Sequence, residues 1–453
     1  MAFNISELDF IFPNDWKLVR LGDIAKINAG SITKKDKFDF IKYIDISSVS
    51  THSFQKPNIL NFNDAPSRAR RKLKDNDFII STVRPNLRQY AFLNKVEENW
   101  IASTGFCVVS ADNETLAWYL YSLVTSEIFT NYLVRVADGG AYPAFNPKEI
   151  EDAIIPLPNP NDLKIISSLA KDIYHKIELN TQINQTLEQI AQTIFKSWFI
   201  DFDPVHAKAN ALASGQTAEQ ATQVAMAVIS GKNTQELHRL QTANPKQYQQ
   251  LWEIAETFPS GFDEEGVPRG WESKSLDEIA IYQNGLALQK FRPESEDEYL
   301  PVVKIAQLKQ GYADGKEKAS VNIKPECIID NGDVIFSWSG SLVVDIWCGG
   351  KAALNQHLFK VTSKNYPKWL YYFYTVHHLA EFQRIAADKA VTMGHIKREH
   401  LSLALCVIPN NEFIQKFCFL EDYISQIVNN RLQNVSLIKI RDELLPKLLS
   451  GEI

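Results

Sequence analysis

The 453-residue chain carries one plan written twice, and this duplication limits its possible folds more than any other feature. WKLVRLGDIAKINAG at 16–30 returns as WESKSLDEIAIYQNG at 271–285, with Trp, Leu, Ile, Ala and Gly in register. DNDFIIS at 75–81 returns as NGDVIFS at 331–337, and IPLP at 155–158 returns as CVIP at 406–409. Farther along, Ile177, Asn180, Leu187 and Ile190 fall opposite Ile427, Asn430, Leu437 and Ile440. A period of about 250 residues is a duplicated domain rather than a solenoid repeat.

Within each copy, β-branched runs bounded by turn residues read as short strands. They are KYIDISSV, DFIISTV and GFCVVSA in the first copy and PVVKIAQL, DVIFSW and LFKVT in the second. Helices are expected over 116–134, where Leu116, Leu120, Leu123 and Leu133 keep helical spacing, and over 369–386. The expected fold class is α/β (α+β): two duplicated mixed domains, 1–158 and 268–409, each followed by a long helix, 159–203 and 410–453. Residues 204–267 have no counterpart and read as accessory helices and an acidic linker bridging the halves.

Ile166, Leu169 and Ile173, and again Ile183, Leu187, Ile190 and Ile194, alternate three and four apart, which is a coiled-coil seam with Asn180 between the two runs at an a-like position. At ~1.5 Å per residue such a helix is ~60 Å long, too long for the core of either block. The simplest arrangement pairs it antiparallel with the helix at 412–449, in pseudo-two-fold fashion, with the two blocks at opposite ends. The alternative packs each helix on its own block.

Composition is ordinary for a globular protein, with 45% apolar and 23% charged residues, which excludes a disordered tail, a collagen-like fibre and a low-complexity scaffold. The longest apolar runs, such as LALCVI at 403–408, fall far short of the ~18–20 residues needed to span a bilayer. MAFNISELDF lacks the basic and apolar pattern of a secretory signal. Five cysteines without a C-x-x-C argue against disulfides or a zinc knuckle and suit a reducing compartment. A soluble cytoplasmic protein with no membrane contact is expected.

Searches for catalytic patterns return absences. No two glycines lie two apart, so no G-x-G-x-x-G dinucleotide or S-adenosylmethionine loop exists. GFDEEG at 261–266 has phosphate-loop spacing but lacks the following Lys and Ser/Thr. Adjacent prolines are missing, and with them the Asn/Asp-Pro-Pro-Tyr motif of amino-methyltransferases. There is no Pro-Asp pair and no Gly-x-Ser-x-Gly elbow. The histidines are scattered without metal-ligand spacing. No catalytic residue, no metal and no cofactor in this chain are expected.

The net charge of −6 argues against a nucleic-acid binder only as an average. The blocks are near neutral, with 18 basic against 17 acidic residues in 14–158 and 17 against 16 in 268–409, while 159–267 has 8 against 13. The densest basic cluster lies at 66–88, where Arg68, Arg70, Arg71, Lys72, Lys74, Arg84 and Arg88 outnumber Asp75 and Asp77. Such a cluster suits phosphate contacts and guanine recognition by arginine forks; a solvated basic loop accounts for the charge equally well. Ser81, Thr82 and Asn86 add short hydrogen-bonding groups. In the second block the candidates are Gln289, Lys290, Arg292, Lys304, Gln307, Lys309, Ser337, Ser339, Ser341, Asn355, Gln356, His357, His395, Lys397 and Arg398. Matching frames with divergent polar residues suit two readers of two different sequences.

The order of these features resembles the specificity (S) subunit of Type I restriction–modification enzymes over essentially the whole chain. The likeness rests on the W-x4-L-x2-IA starts at Trp16 and Trp271, NDFIISTVRP, QTLEQIAQTIFKSWFIDFDPV and the C-terminal LLPKLLSGEI. The resemblance implies that each block is a target recognition domain reading half of a bipartite, asymmetric site on double-stranded DNA. It implies that the paired helices set the gap between half-sites and dock two methyltransferase subunits, which hold the S-adenosylmethionine, and that restriction subunits join this core. The rival readings are a solitary coiled-coil interaction protein with an incidental basic surface, and a DNA-binding regulator acting without a methyltransferase.

Overall fold

A computed structural model of the chain describes residues 3–4, 13–33, 35–295, 298–388 and 394–450. The leader at 5–12 and the last three residues of LLPKLLSGEI lie outside the described residues. By internal contacts the chain divides into two units, Met1–Asn180 with Gln433–Ile453, and Thr181–Leu432.

In the first unit, Phe106–Ala111 is buried at every position, as its continuous apolar run requires. It is an inner strand of a four-stranded sheet ordered Ala25–Ile27, Phe106–Ala111, Asp77–Ser81, Tyr90–Phe92. A second sheet is ordered Asn58–Asn61, Phe40–Ile44, Trp100–Ser103, Ala69–Lys72, with its middle pair parallel. Lys17–Arg20 closes the block by pairing with Ile154–Leu157. The single helix expected over 116–134 is two, Glu114–Val124 and Glu127–Val136, because Ser126 caps the second through Phe129 N–H.

The second unit repeats both four-stranded sheets in the same order, while the short pair Val49–Ser50 and Ser53–Phe54 of the first unit has no counterpart among its described residues. One sheet is ordered Ile281–Asn284, Leu358–Thr362, Val334–Ser337, Val344–Ile346. The other is ordered Lys318–Ala319, Leu300–Val303, Ala352–Leu354, Ile328–Ile329, again with a parallel middle pair. The expected strand PVVKIAQL ends at Val303 and turns into the helix Ile305–Gln310. The connector forms four helices that belong to this unit, Asp203–Ala213, Ala218–Ser230, Thr234–Ala243 and Pro245–Thr257. Buried Lys208 ties the first to the end of the last by donating to the carbonyls of Ala255, Glu256 and Phe258.

The first long helix is Pro160–Phe195, continued by a π turn to Ile200. The second is interrupted at 417–418 into Asn411–Lys416 and Phe419–Ser450. The helices pair antiparallel inside each unit, and asparagine marks the contact. Asn180 is fully buried and donates to Asn434 Oδ1 at 2.9 Å, while Asn434 donates to the Ile177 carbonyl at 3.3 Å. In the second unit Asn430 donates to Asn184 Oδ1 at 2.8 Å and Asn184 to the Ile427 carbonyl at 3.1 Å. Positions 177, 180 and 184 stand 250 before 427, 430 and 434, so each set of contacts is the duplicate of the other.

The seam itself differs from the apolar count. Leu169, Ile183, Ile190 (41% exposed) and Ile440 (48% exposed) face outward, while Ala170, Tyr174, Asn184 and Ala191 are buried. A straight α-helix drifts ~20° per heptad against a 3.5-residue repeat, so a seam followed by heptads leaves the contact face within a few turns. Ile177, Leu187 and Leu437 remain half-buried. The two packings weighed in the sequence coexist, since Ile166, Ala170 and Tyr174 also belong to the core of the first block. Arg441 completes that junction. Its guanidinium donates to His52 Nε2 at 2.7 Å, so His52 carries its proton on Nδ1 toward Tyr121 Oη at 2.7 Å. Burial and the charges of Arg441 and Arg88 hold this imidazole neutral, well below its ordinary pKa.

One equivalent pair of carboxylates is partnered differently in the two copies. Asp333 pairs with Lys360 at 2.8 Å, but Asp77 is offered only the Ser110 hydroxyl at 2.6 Å and the Lys74 amide at 2.9 Å. Burial therefore pushes the Asp77 carboxyl up to about 6. A folded-state value above the unfolded ~3.9 makes the ionised group costly above pH 6, and the cost fades as pH falls toward 4. The stability of wild type relative to Asp77→Asn should thus rise by roughly 1.4 kcal/mol from pH 8 to pH 5 in chemical denaturation. A difference independent of pH would show that Asp77 ionises normally.

Candidate nucleic-acid interface

The Pro66–Arg88 cluster is not one patch. Arg70, Arg71 and Lys72 ride on Ala69–Lys72, while Lys74 and Arg84 flank Asp77–Ser81, a strand of the other sheet. Lys74 precedes the five-residue strand Asp77–Ser81 and Arg84 follows it, so the strand's length of ~17 Å separates them. Arg68, Arg70 and Lys74 are exposed, and Arg70 Nε donates to the Ser67 carbonyl at 3.0 Å. Arg71 is half-buried. Lys72 is ion-paired with Asp36, whose carboxyl it pulls down to about 2 with help from Thr33. Arg88 reaches Glu127 only at 3.9 Å.

What the fold does assemble is a set of loops at the exit of Asp77–Ser81. Ser81 and Thr82 are buried and serve this frame rather than facing outward. Ser81 Oγ donates to the Val83 carbonyl at 2.9 Å, and Thr82 Oγ1 to the Gly105 carbonyl at 2.9 Å. Val83 bridges to Ala144, and Arg84 N–H donates to the Pro143 carbonyl at 2.7 Å. Thr104 N–H donates to the Arg68 carbonyl at 2.8 Å, which brings Arg68 to the same end. Arg84 and Arg88, both left-handed with φ of 50° and 53°, bracket the turn Pro85–Leu87, on which Asn86 and Leu87 are exposed.

The second unit builds the same frame with other residues. Ser337 is fully buried and donates to the Ser341 carbonyl at 2.5 Å; Ser339 bridges to His395 and bonds His357 Nδ1 at 2.9 Å. Buried Asn355 accepts from His357 N–H at 3.2 Å. Gly340 N–H donates to the Gly394 carbonyl at 2.8 Å, and Ile396 N–H to the Trp338 carbonyl at 3.0 Å, as Phe145 N–H does to Thr82 in the first unit. Ser341, Gln356, His395 and Lys397 are exposed around this exit. Arg398 lies 5.7 Å over the Phe359 ring and donates to the Tyr282 carbonyl at 3.3 Å. Gln289, Lys290 and Arg292 are exposed on and after the turn Leu288–Lys290. Gln307 instead accepts from the Lys304 backbone N–H at the start of the helix Ile305–Gln310, the Lys304 ammonium pairs with Glu317, and Lys309 is exposed on that helix.

Sequence reading missed the hairpin at 138–144, which meets Arg84. Tyr142 at its tip is 69% exposed, and the Arg84 guanidinium stacks 4.4 Å from its ring centre. The available signal was Gly-Gly-Ala-Tyr-Pro, an aromatic set between turn formers. Among the described residues no group of His, Cys, Asp and Glu is placed to hold a metal, and no helix is long and apolar enough to cross a membrane.

Two mixed α/β blocks whose four-stranded sheets share one strand order, each followed by a long helix and each presenting differently furnished loops at one strand exit, define a duplicated two-block architecture. The Type I restriction modification DNA specificity domain matches the chain twice, at residues 13–189 and 268–436, and the chain belongs to that family. It is similar to the Type I restriction enzyme HindI specificity subunit of Haemophilus influenzae, 30% identical over 97% of this chain and all of that one. It is also similar to the MjaIX specificity subunit of Methanocaldococcus jannaschii, 23% identical over 97% of this chain and 94% of the other. Among solved structures, a Type I restriction-modification S subunit from M. genitalium is 10% identical over 96% of this chain and 97% of its own length, with a TM-score of 0.48.

Proposed function

We propose that the chain is the DNA sequence-specificity subunit of a Type I restriction–modification complex, with the loops of 14–158 reading one half of a bipartite, asymmetric site and those of 268–409 the other. The observation that carries this reading is the pair of equivalent strand exits, bonded alike and furnished differently: Arg68, Arg84, Asn86 and Tyr142 in one, Gln356, His357 and His395 in the other. Arginine forks suit guanine, and Gln suits adenine.

The long helices offer the partner surface. Ile165, Leu169, Leu179, Val435 and Ile438 in the first unit and Ile183 and Ile190 in the second are exposed, although an isolated helix pair gains nothing by showing them to water. An apolar stripe of this kind supports docking of two methyltransferase subunits, to which restriction subunits then attach. The chain itself contributes recognition and no chemistry. The S-adenosylmethionine is the partner's, in keeping with the missing glycine loop and base-gripping motif.

Calorimetry tests this division of labour. The chain alone should show no stoichiometric S-adenosylmethionine binding and no methyl transfer, while addition of the methyltransferase subunit should give site-selective DNA methylation. Stoichiometric cofactor binding by the isolated chain would contradict the proposal.

A further inference from the structure

The two strand exits differ most at a position where the backbone itself is strained. Arg84 N–H bonds the Pro143 carbonyl as Gly340 N–H bonds the Gly394 carbonyl, so the two residues are equivalent. Both are left-handed, with φ of 50° and 67°. Glycine adopts this conformation freely, whereas a side chain with a Cβ pays a steric penalty there. The first block keeps arginine where the second copy uses glycine, as it also keeps Asn76 (φ 65°) opposite Gly332 (φ 89°); asparagine tolerates this conformation better than arginine does, so the strain at Arg84 points to its side chain as the reason.

The hairpin opposite is shaped to receive that side chain. Gly139 has a φ of 123°, and a Cβ there would meet the Tyr142 carbonyl oxygen at 2.9 Å, so the tight turn requires glycine. The turn lifts Tyr142 into solvent, where its ring lies 4.4 Å from the Arg84 guanidinium, and Arg84 Nη2 donates to the Ala141 carbonyl at 3.1 Å. A guanidinium has five N–H donors in one plane. Ala141 takes one, the ring fixes the plane, and the remaining edge is free to meet a ligand. An exposed cation–π pair contributes little to folding. Its effect is orientation, since a bidentate contact succeeds only when both donors arrive in plane with the acceptors.

We propose that Tyr142 is a positioning residue for Arg84, and that the stacked pair reads one guanine, through O6 and N7, in the half-site of the first block. The inference rests on the function proposed above and deepens it by assigning a base and a second residue to that reading. Two alternatives make different predictions. A tyrosine that itself inserts between bases would act independently of Arg84, and a tyrosine that merely decorates the loop would do nothing.

The test uses the full chain assembled with its methyltransferase subunits and duplexes carrying 7-deazaguanine, which lacks N7, at each guanine of the first half-site in turn. For wild type, one position should weaken binding roughly ten-fold. Tyr142→Ala should weaken binding to the unmodified site roughly five- to thirty-fold, insensitive to further deaza substitution at that position, while Tyr142→Phe keeps most of the affinity. In an Arg84→Ala background Tyr142→Ala should add less than two-fold, because a positioning residue has nothing left to position. The wild-type thermal midpoint should persist in Tyr142→Ala, as the ring is exposed. Additive losses from the two substitutions, or full affinity and an unchanged deaza profile in Tyr142→Ala, would overturn the inference while leaving the subunit's function intact. Failure of the wild-type assembly to prefer any DNA sequence would overturn both.

Discussion

A fragment ending near Pro204 should form a symmetric dimer and, with methyltransferase subunits, methylate an interrupted palindrome. The fragment keeps one reading block and one long helix but loses the helix whose Asn434 and Gln433 accept from the Asn180 side-chain amide, which is fully buried. Leaving such an amide without partners costs ~1–3 kcal/mol. The nearest substitute is a second copy of the same helix, because Asn184 stands where Asn434 does in the duplicate and Asn180 where Asn430 does. Antiparallel copies thus bring Asn180 of each to Asn184 of the other, regenerating both native contacts twice. This is an isologous, two-fold interface, and identical readers on a two-fold axis recognise inverted half-sites. The dimer should be weaker than the native pair, since Ala191 replaces Arg441 and leaves His52 without its donor. Light scattering checks the mass and sequencing of methylated DNA checks the motif; a stable monomer at micromolar concentration would show that the helix is satisfied by its own block.

Arg431→Ala should destabilise the second unit by about 3 kcal/mol, a loss typical of breaking a partly buried ion pair from one side. Arg431 lies on the second long helix and bonds Asp345 of the recognition sheet at 2.7 Å, Glu188 of the first long helix at 3.1 Å and the Ile346 carbonyl at 2.9 Å. Removal strands two carboxylates at once. Arg431→Lys should recover little, because one ammonium cannot reproduce the fork that holds both acids. Urea denaturation of the two variants measures the loss, and a change below 0.5 kcal/mol would show that the three elements are joined by apolar packing alone.

The duplicated fold was legible because strand periodicity and the in-register Trp, Gly and Pro anchors survive in both copies. Asn180 was legible as well, as a polar residue in an otherwise apolar pattern. The rest of the seam was not, because Ala170, Ala191 and Asn184 are small or polar and score poorly in an apolar count, while the outward Leu169, Ile183 and Ile190 score well. The basic cluster misled for a related reason. Contiguity in sequence did not reveal that Lys74 and Arg84 lie at opposite ends of a strand, or that Lys72 is held by Asp36 from a distant loop. Ser81, Thr82, Ser337 and Asn355 lie at or beside the two strand exits but face inward, where they make the frame's own hydrogen bonds. Tyr142 escaped because its partner, Arg84, is 58 residues away in sequence and adjacent only in the fold.

The central claim is that two blocks read two halves of one site. Its most direct measurement is adenine-methylation sequencing of cells in which residues 268–409 are replaced by the equivalent block of another specificity subunit, with the partner subunits unchanged. The account predicts that the half-site read by residues 14–158 and the length of the gap persist, while the other half-site changes to that of the donor. A motif altered in both halves, or methylation that does not change at all, would contradict it.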